Sequence, residues 1–111
     1  MANQTLEYYL HDEYDAFRIE LSGSLSGDGA RSVWQAWRTA LSIIGNRPLI
    51  ADITFLTEAD DRGSALLRLW HRLGARIVAA SPASRALAEP ILGQPLPAPP
   101  APKNWLRRLL S

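Results

Sequence analysis

The stretch Leu49 to Leu66, LIADITFLTEADDRGSAL, constrains the fold more than any other part of the chain. Leu49, Ile50 and Ile53 with Ala51 make a nearly continuous apolar run that reads as ending at Asp52, the pattern of a short strand covered on both faces. Asp60 or Asp61 suits the N-cap of a following helix, and Gly63 permits close approach of a neighbouring backbone in its first turn. Ala65, Leu66, Leu69, Trp70 and Leu73 then recur at helical spacing. A strand, a tight acidic loop and a helix are therefore expected here.

The segments on either side complete an α/β pattern. Leu6, Tyr8 and Leu10 alternate with Glu7, Tyr9 and His11, and after Asp12 to Asp15 the alternation resumes at Phe17, Ile19 and Leu21. Two half-buried strands joined by an acidic hairpin turn are expected, making that edge of the sheet antiparallel. Gly23, Ser24, Ser26 and Gly27 read as a loop, with Asp28 as cap of a helix from about Gly29 to Ile44. Val33, Trp34, Trp37, Leu41 and Ile44 form its apolar stripe, and both tryptophans are expected in the core. Gly45 and Asn46 end that helix. Arg76 to Ala80 reads as a further strand, paired in parallel through a right-handed crossover. Ser81-Pro82 starts a last helix toward Leu92, burying Leu87 and Ile91 and bent by Pro90.

Two of these stretches and the turn between them resemble the STAS family, small domains typified by bacterial anti-sigma factor antagonists. Its pattern is an apolar strand ending in Asp, then Leu-Ser-Gly-Val-Thr-Phe-Ile, then Asp-Ser-Ser-Gly opening a helix. Asp52 stands for the first Asp and Asp60, eight residues on, for the second, with Thr57 and Gly63 also in place. Leu21-Ser22-Gly23-Ser24-Leu25 is similar to the family's early Leu-x-Gly-x-Leu strand end, and Gly74 to Val78 to the strand after its second helix. The resemblance spans Leu6 to Gly93. It implies a mixed sheet of about four strands, with an antiparallel N-terminal hairpin and about three helices packed on it.

The resemblance also implies a regulatory binding module that is not an enzyme, with a kinase-type anti-sigma factor as partner. The switch loop would then be Asp60, Asp61, Arg62, Gly63 and Ser64 with Thr57, and Leu67, Arg68 and His71 the adjoining partner-binding helix face. In the antagonists the first Ser of Asp-Ser-Ser-Gly is phosphorylated by the partner kinase, and here Asp61 stands there. A carboxylate carries about one negative charge against about 1.5 to 2 for phosphoserine. Asp61 either imitates the phosphorylated state or only caps the helix, where an Asp meets free N–H groups and the dipole. Ser64 and Thr57 are the nearby hydroxyls left as alternative acceptors. Some STAS domains are subunits of lipid-transport ATPases and lack the serine, so a transporter ATPase is the second expected partner. A sensor binding a small ligand in the sheet-helix cleft is a third reading, for which no specific pocket is legible.

Composition narrows the function classes. With 111 residues, 47% of them hydrophobic and 21% charged, one modest domain is expected. No apolar run approaches the roughly 20 residues of a membrane span, and the first residues lack the pattern of a signal peptide. The chain has no cysteine, so disulfides and thiolate metal sites are excluded, and a cytoplasmic protein is the default. Residues 1–27 sum to −4 and the remainder to +5. That polarity suits a protein partner better than nucleic acid, which calls for a concentrated basic face. No Ser-His-Asp order, phosphate-cradling glycine loop or paired-His motif is present, and no cofactor or metal is expected. His71 has no ligand or carboxylate at useful spacing, and Asp52 reads as a strand-end hydrogen-bonding residue more readily than as half of a carboxylate pair with Asp60.

The resemblance fails after Gly93. The domain is expected over 1–93, followed by a linker at 94–102 carrying Pro95, Pro97, Pro99, Pro100 and Pro102, and a short basic amphipathic segment at 103–111. In helical form, Trp105, Leu106, Leu109 and Leu110 share one side and Arg107 and Arg108 lie on another. So short a helix is marginal in isolation and needs a surface to dock on: this domain, a second copy in a homodimer, a partner protein, or an anionic membrane surface.

Overall fold

The computed structural model describes residues 5–96. Alternating apolar residues set up its first hairpin. β1 (Glu7–Asp12) and β2 (Phe17–Leu25) pair antiparallel from Glu7↔Ser22 to Asp12↔Phe17, and the Glu13 N–H donates to the Ala16 carbonyl at 3.1 Å across the acidic turn. The chain then runs through α1 (Gly27–Ile44), β3 (Leu49–Ala59), α2 (Asp61–Arg72), β4 (Arg76–Val78) and α3 (Pro82–Leu92). Sheet order is β1-β2-β3-β4, with β2·β3 and β3·β4 parallel. The expected mixed four-stranded sheet with three helices is what forms.

The helices cover one face of the sheet, not two. Strand order advances in one direction, so both right-handed crossovers, β2-α1-β3 and β3-α2-β4, carry their helices to the same side. There Phe17, Ile19 and Leu21 of β2, Ala51, Ile53 and Leu56 of β3 and Ile77 of β4 meet the buried sides of the helices in a single cluster. Among the described residues the opposite face stays open. Arg18, Glu20 and Asp52 lie half-buried on it, the Arg18 guanidinium 2.8 Å from Glu20 and 3.9 Å from Asp52.

Both inner strands run farther than their sequences suggest. β2 includes Gly23 and Ser24, and β3 continues past Asp52 through Thr57 to Ala59, so the loop before α2 shrinks to Asp60. The continuation depends on a bulge. Glu20 pairs with Asp52 but Ser22 with Phe55, two residues of β3 facing one of β2, which reverses the inside-outside alternation beyond it. Phe55 is thereby turned out, 74% exposed, and Leu56 in.

Helix faces also depart from the expected stripes. α1 buries Ala30, Val33, Trp37, Ala40 and Ile44, leaving Trp34 and Leu41 39% and 48% exposed. Trp37 alone enters the core, meeting the fully buried Trp70 edge-on at 6.2 Å between centroids and 72° between planes. In α2 the buried side is Gly63, Leu66, Leu67 and Trp70, while Leu73 falls past the helix end and is exposed. Because α2 packs against α1 and both inner strands, Leu67 is drawn into the core beside Leu66. β4 stops at Val78. Ser81 caps α3 in a reciprocal box with Ser84, where Ser84 and Ala88 are buried and Leu87 and Ile91 pack only partly against the core. Packing passes the expected boundary at Gly93: Leu96 is buried, its N–H donating to Glu89 Oε2 at 2.8 Å and its carbonyl accepting from Arg85 at 3.0 Å. The 97–102 part of the proline-rich linker and the whole 103–111 segment lie outside the described residues.

Candidate functional site

The parallel strands β2 and β3 deliver their C-terminal ends to one corner, where α1 and α2 both begin. Asp60 joins them. Its Oδ1 accepts from the Gly63 N–H at 2.8 Å, capping α2, and its Oδ2 accepts from the Gly27 N–H at 2.9 Å, in the first turn of α1. One carboxylate thus serves two helix N-termini. These donors, Gly63 first and Gly27 next, hold the Asp60 carboxyl below its ordinary pKa against a small opposing effect of burial. Its backbone N–H donates to the Leu25 carbonyl at 3.2 Å and its carbonyl accepts from Ser64 at 2.8 Å.

Close approach of α2 to β2 depends on Gly63. A β-carbon there would stand 2.0 Å from the Leu25 carbonyl oxygen. Gly23 plays a matching part on the other side of β2, where φ is +93° and a β-carbon would stand 2.4 Å from the Thr5 carbonyl oxygen. Thr57 donates its hydroxyl to the Gly23 carbonyl at 2.9 Å, fastening β3 to β2. Ser26, not Asp28, occupies the N-cap position of α1, and its hydroxyl is turned aside: Ser24 donates to Glu58 at 2.7 Å and Ser26 lies 2.7 Å from the Ser24 oxygen. Asp60 therefore substitutes across the corner for a cap that α1 does not make for itself.

Asp61 and Arg62 follow on the exposed first turn of α2, and Ser64 is half-buried behind them. Arg62 opens onto a groove of about 530 Å³ between α1 and α2, floored by Ala30, Leu66 and Leu69 and flanked by Arg31 and Trp34. Arg38 lies over the Trp34 ring at 4.9 Å from its centroid. The groove lies within the size range of ligand and peptide sites, with an apolar floor and cationic walls.

Of the expected site residues, Asp60, Asp61, Arg62, Gly63 and Ser64 are gathered at this corner, with Thr57 beneath them in the strand. Arg68 is exposed and His71 half-buried farther along α2. Leu67 is a correction: it is fully buried in the core and cannot form part of a partner-binding face. Trp105, Leu106, Leu109 and Leu110 lie outside the described residues. Asp52 and Asp60 are not brought together; Asp52 Oδ1 accepts from the Thr54 N–H at 3.1 Å and hydroxyl at 2.7 Å on the strand itself. The α1 wall, Arg31 and Trp34, escapes sequence reading because an aromatic at helical spacing looks like core. Among the described residues no cluster of His, Cys, Asp and Glu has the make-up of a metal site, and no helix is long and apolar enough to cross a membrane.

No protein-family model matches the chain, and no curated protein does. Solved structures do. The chain is similar to an anti-sigma factor antagonist from Mycobacterium paratuberculosis, with a TM-score of 0.67 and 19% identity over 96% of each chain. It is similar also to the anti-sigma factor antagonist SpoIIAA in its unphosphorylated form, with a TM-score of 0.61 and 18% identity over 94% of this chain and 96% of that one. At such identity the likeness is one of fold, and the fold is that of the STAS domains.

Proposed function

We propose that the chain is a regulatory binding module of the anti-sigma factor antagonist type, whose partner is a kinase-type anti-sigma factor. The observation that carries this reading is the α1–α2 groove beside Asp61. A tryptophan 39% exposed at a groove wall, next to the turn where two helix N-termini meet, costs the free protein solvation and serves best as an anchor for a partner. Arg31 and Arg62 select acidic or phosphate-bearing groups at the rim. The likeness of fold to two antagonists supports the same reading. In it Asp61 stands where the antagonists carry their phosphorylated serine, presenting a fixed negative charge on the positive end of α2. The module does no chemistry of its own.

Titration calorimetry of the full chain against kinase-type anti-sigma factors encoded in the same genome tests this. Binding is expected, and Trp34→Ala should weaken it by at least about 30-fold, the size of an interface hot spot, with the fold intact. If Asp61 imitates the phosphorylated, released state, Asp61→Ser tightens binding; an unchanged affinity reduces Asp61 to a helix-end charge. Failure to bind any such factor, with affinity capture instead recovering a transport ATPase and its membrane components, overturns the proposal in favour of a transporter subunit.

A further inference from the structure

The open face of the sheet carries a second surface that the proposed function does not use. By register Glu20 and Asp52 occupy its middle, with Tyr9, 56% exposed, and half-buried Val78 at either end of the same row, and Phe55, 74% exposed, one row farther along beside Ser22. Between the aromatics lies a shallow cavity of about 210 Å³, lined by Tyr9, Glu20, Ser22, Asp52 and Phe55, below the usual size of a small-molecule site. Its surroundings are acidic. A single guanidinium, Arg18, is shared among Glu13 at 3.2 Å, Glu20 at 2.8 Å and Asp52 at 3.9 Å, and exposed Glu7 adds another carboxylate at the β1 end. His11 at 3.3 Å from Glu20 and Arg76 on the edge strand offset only part of this charge. The bulge in β3 is what turns Phe55 outward, and strand bulges recur where a side chain has to be re-aimed.

We infer that the segment 103–111 of the same chain docks on this face, its apolar side chains on Phe55 and Tyr9. The chemistry of the two matches. Trp105, Leu106, Leu109 and Leu110 supply an apolar side, and Lys103, Arg107 and Arg108 supply cations for Glu7, Glu20 and Asp52, with Tyr9 offering an aromatic face to an arginine. Nine residues do not hold a helix alone in water, so this segment needs such a surface. Charge decides against the competing sites: the α1–α2 groove is walled by Arg31 and Arg62, which repel a basic segment, and a second copy of the sheet face would set carboxylates against carboxylates. The described chain ends at Leu96, held against α3, which packs on β3, the strand that carries Phe55. The six residues 97–102, four of them proline, span roughly 19 Å when extended. Docked this way the segment leaves the groove and Asp61 free on the opposite side, so the inference is independent of the partner proposed above.

The absence of cysteine makes the test direct, since Ser111→Cys creates a single attachment point for a nitroxide on the full chain. In an amide spectrum of isotope-labelled protein, the label should cause loss of the Tyr9, Ser22, Asp52 and Phe55 signals, and 0.5 M salt should lessen that loss. Phe55→Lys, at an exposed position, should restore the signals, and Glu7→Lys should restore them in part without change in melting temperature. Four results would overturn the inference: no localised loss, loss centred on Trp34 and Leu69 instead, loss unaffected by Phe55→Lys, or loss seen only between molecules when spin-labelled protein is mixed with unlabelled-spin, isotope-labelled protein.

Discussion

Gly63→Ala separates the structure from generic helix behaviour more sharply than any other change. Replacing glycine by alanine inside an exposed helix ordinarily stabilises by about 1 kcal/mol. Here the added β-carbon would stand 2.0 Å from the Leu25 carbonyl oxygen, 2.9 Å from its Cγ and 3.0 Å from its carbonyl carbon. Backbone atoms cannot swing aside as a side chain does, so α2 must retreat from β2 by more than an ångström to reach ordinary contact. That retreat strains the Asp60 N–H to Leu25 bond and both carboxylate bonds of Asp60, to Gly63 and to Gly27. Overpacking of about 1–3 kcal/mol plus about 1 kcal/mol for each hydrogen bond lost, less the intrinsic gain, leaves a net loss of about 2–4 kcal/mol. Urea and thermal unfolding read this as a fall in midpoint, roughly 10 °C or more in Tm for a domain of this size. A Gly63→Ala protein as stable as the parent, or more so, would refute the close approach of the α2 N-terminus to the end of β2.

Asp60→Ala should cost about 2 kcal/mol at neutral pH, since one substitution uncaps two helices. Because the folded-state pKa of Asp60 is depressed, this stabilisation is complete above the unfolded-state value and fades only as pH falls through the lower folded one; urea titrations at pH 7 and pH 5 should give the same difference between variant and parent, and fading already in that interval would contradict the depressed carboxyl. The two tryptophans of α1 should part company in calorimetry: Trp37→Ala, buried against Trp70, costs about 3–5 kcal/mol, while Trp34→Ala costs under about 1 kcal/mol, and equal losses would refute the placement of Trp34 at the groove.

Local physics was legible in the chain order. Period-two alternation located β1 and the first half of β2. Asp60 or its neighbour Asp61, and Ser81, stood out as caps because a short oxygen-bearing side chain before an apolar helical repeat satisfies free N–H groups with nearby backbone alone. Gly63 stood out because only a residue without a β-carbon suits so close a contact. The residues of the candidate switch turn are contiguous, so their gathering needed no knowledge of the fold.

Other features depend on partners distant in sequence. Whether Trp34 or Trp37 is core is decided by where α2 lies against α1, and the same seating buries Leu67 and exposes Leu73. The second role of Asp60, at Gly27, crosses 33 residues and exists only because parallel strands bring two helix starts to one corner. The β3 bulge has no local signature, since Thr54 and Phe55 suit a strand in either orientation, and only pairing with β2 reveals that two residues face one. From that mismatch comes the exposed Phe55. The one-sided covering follows from strand order, which no segment encodes by itself. Sequence by itself determined the order and type of the elements, the caps of α2 and α3 and the contiguous turn, because those rest on interactions within a few residues. Tertiary structure alone decided which faces are buried and which surfaces, the α1–α2 groove and the open sheet face, are left uncovered among the described residues, because burial is a property of what each element meets.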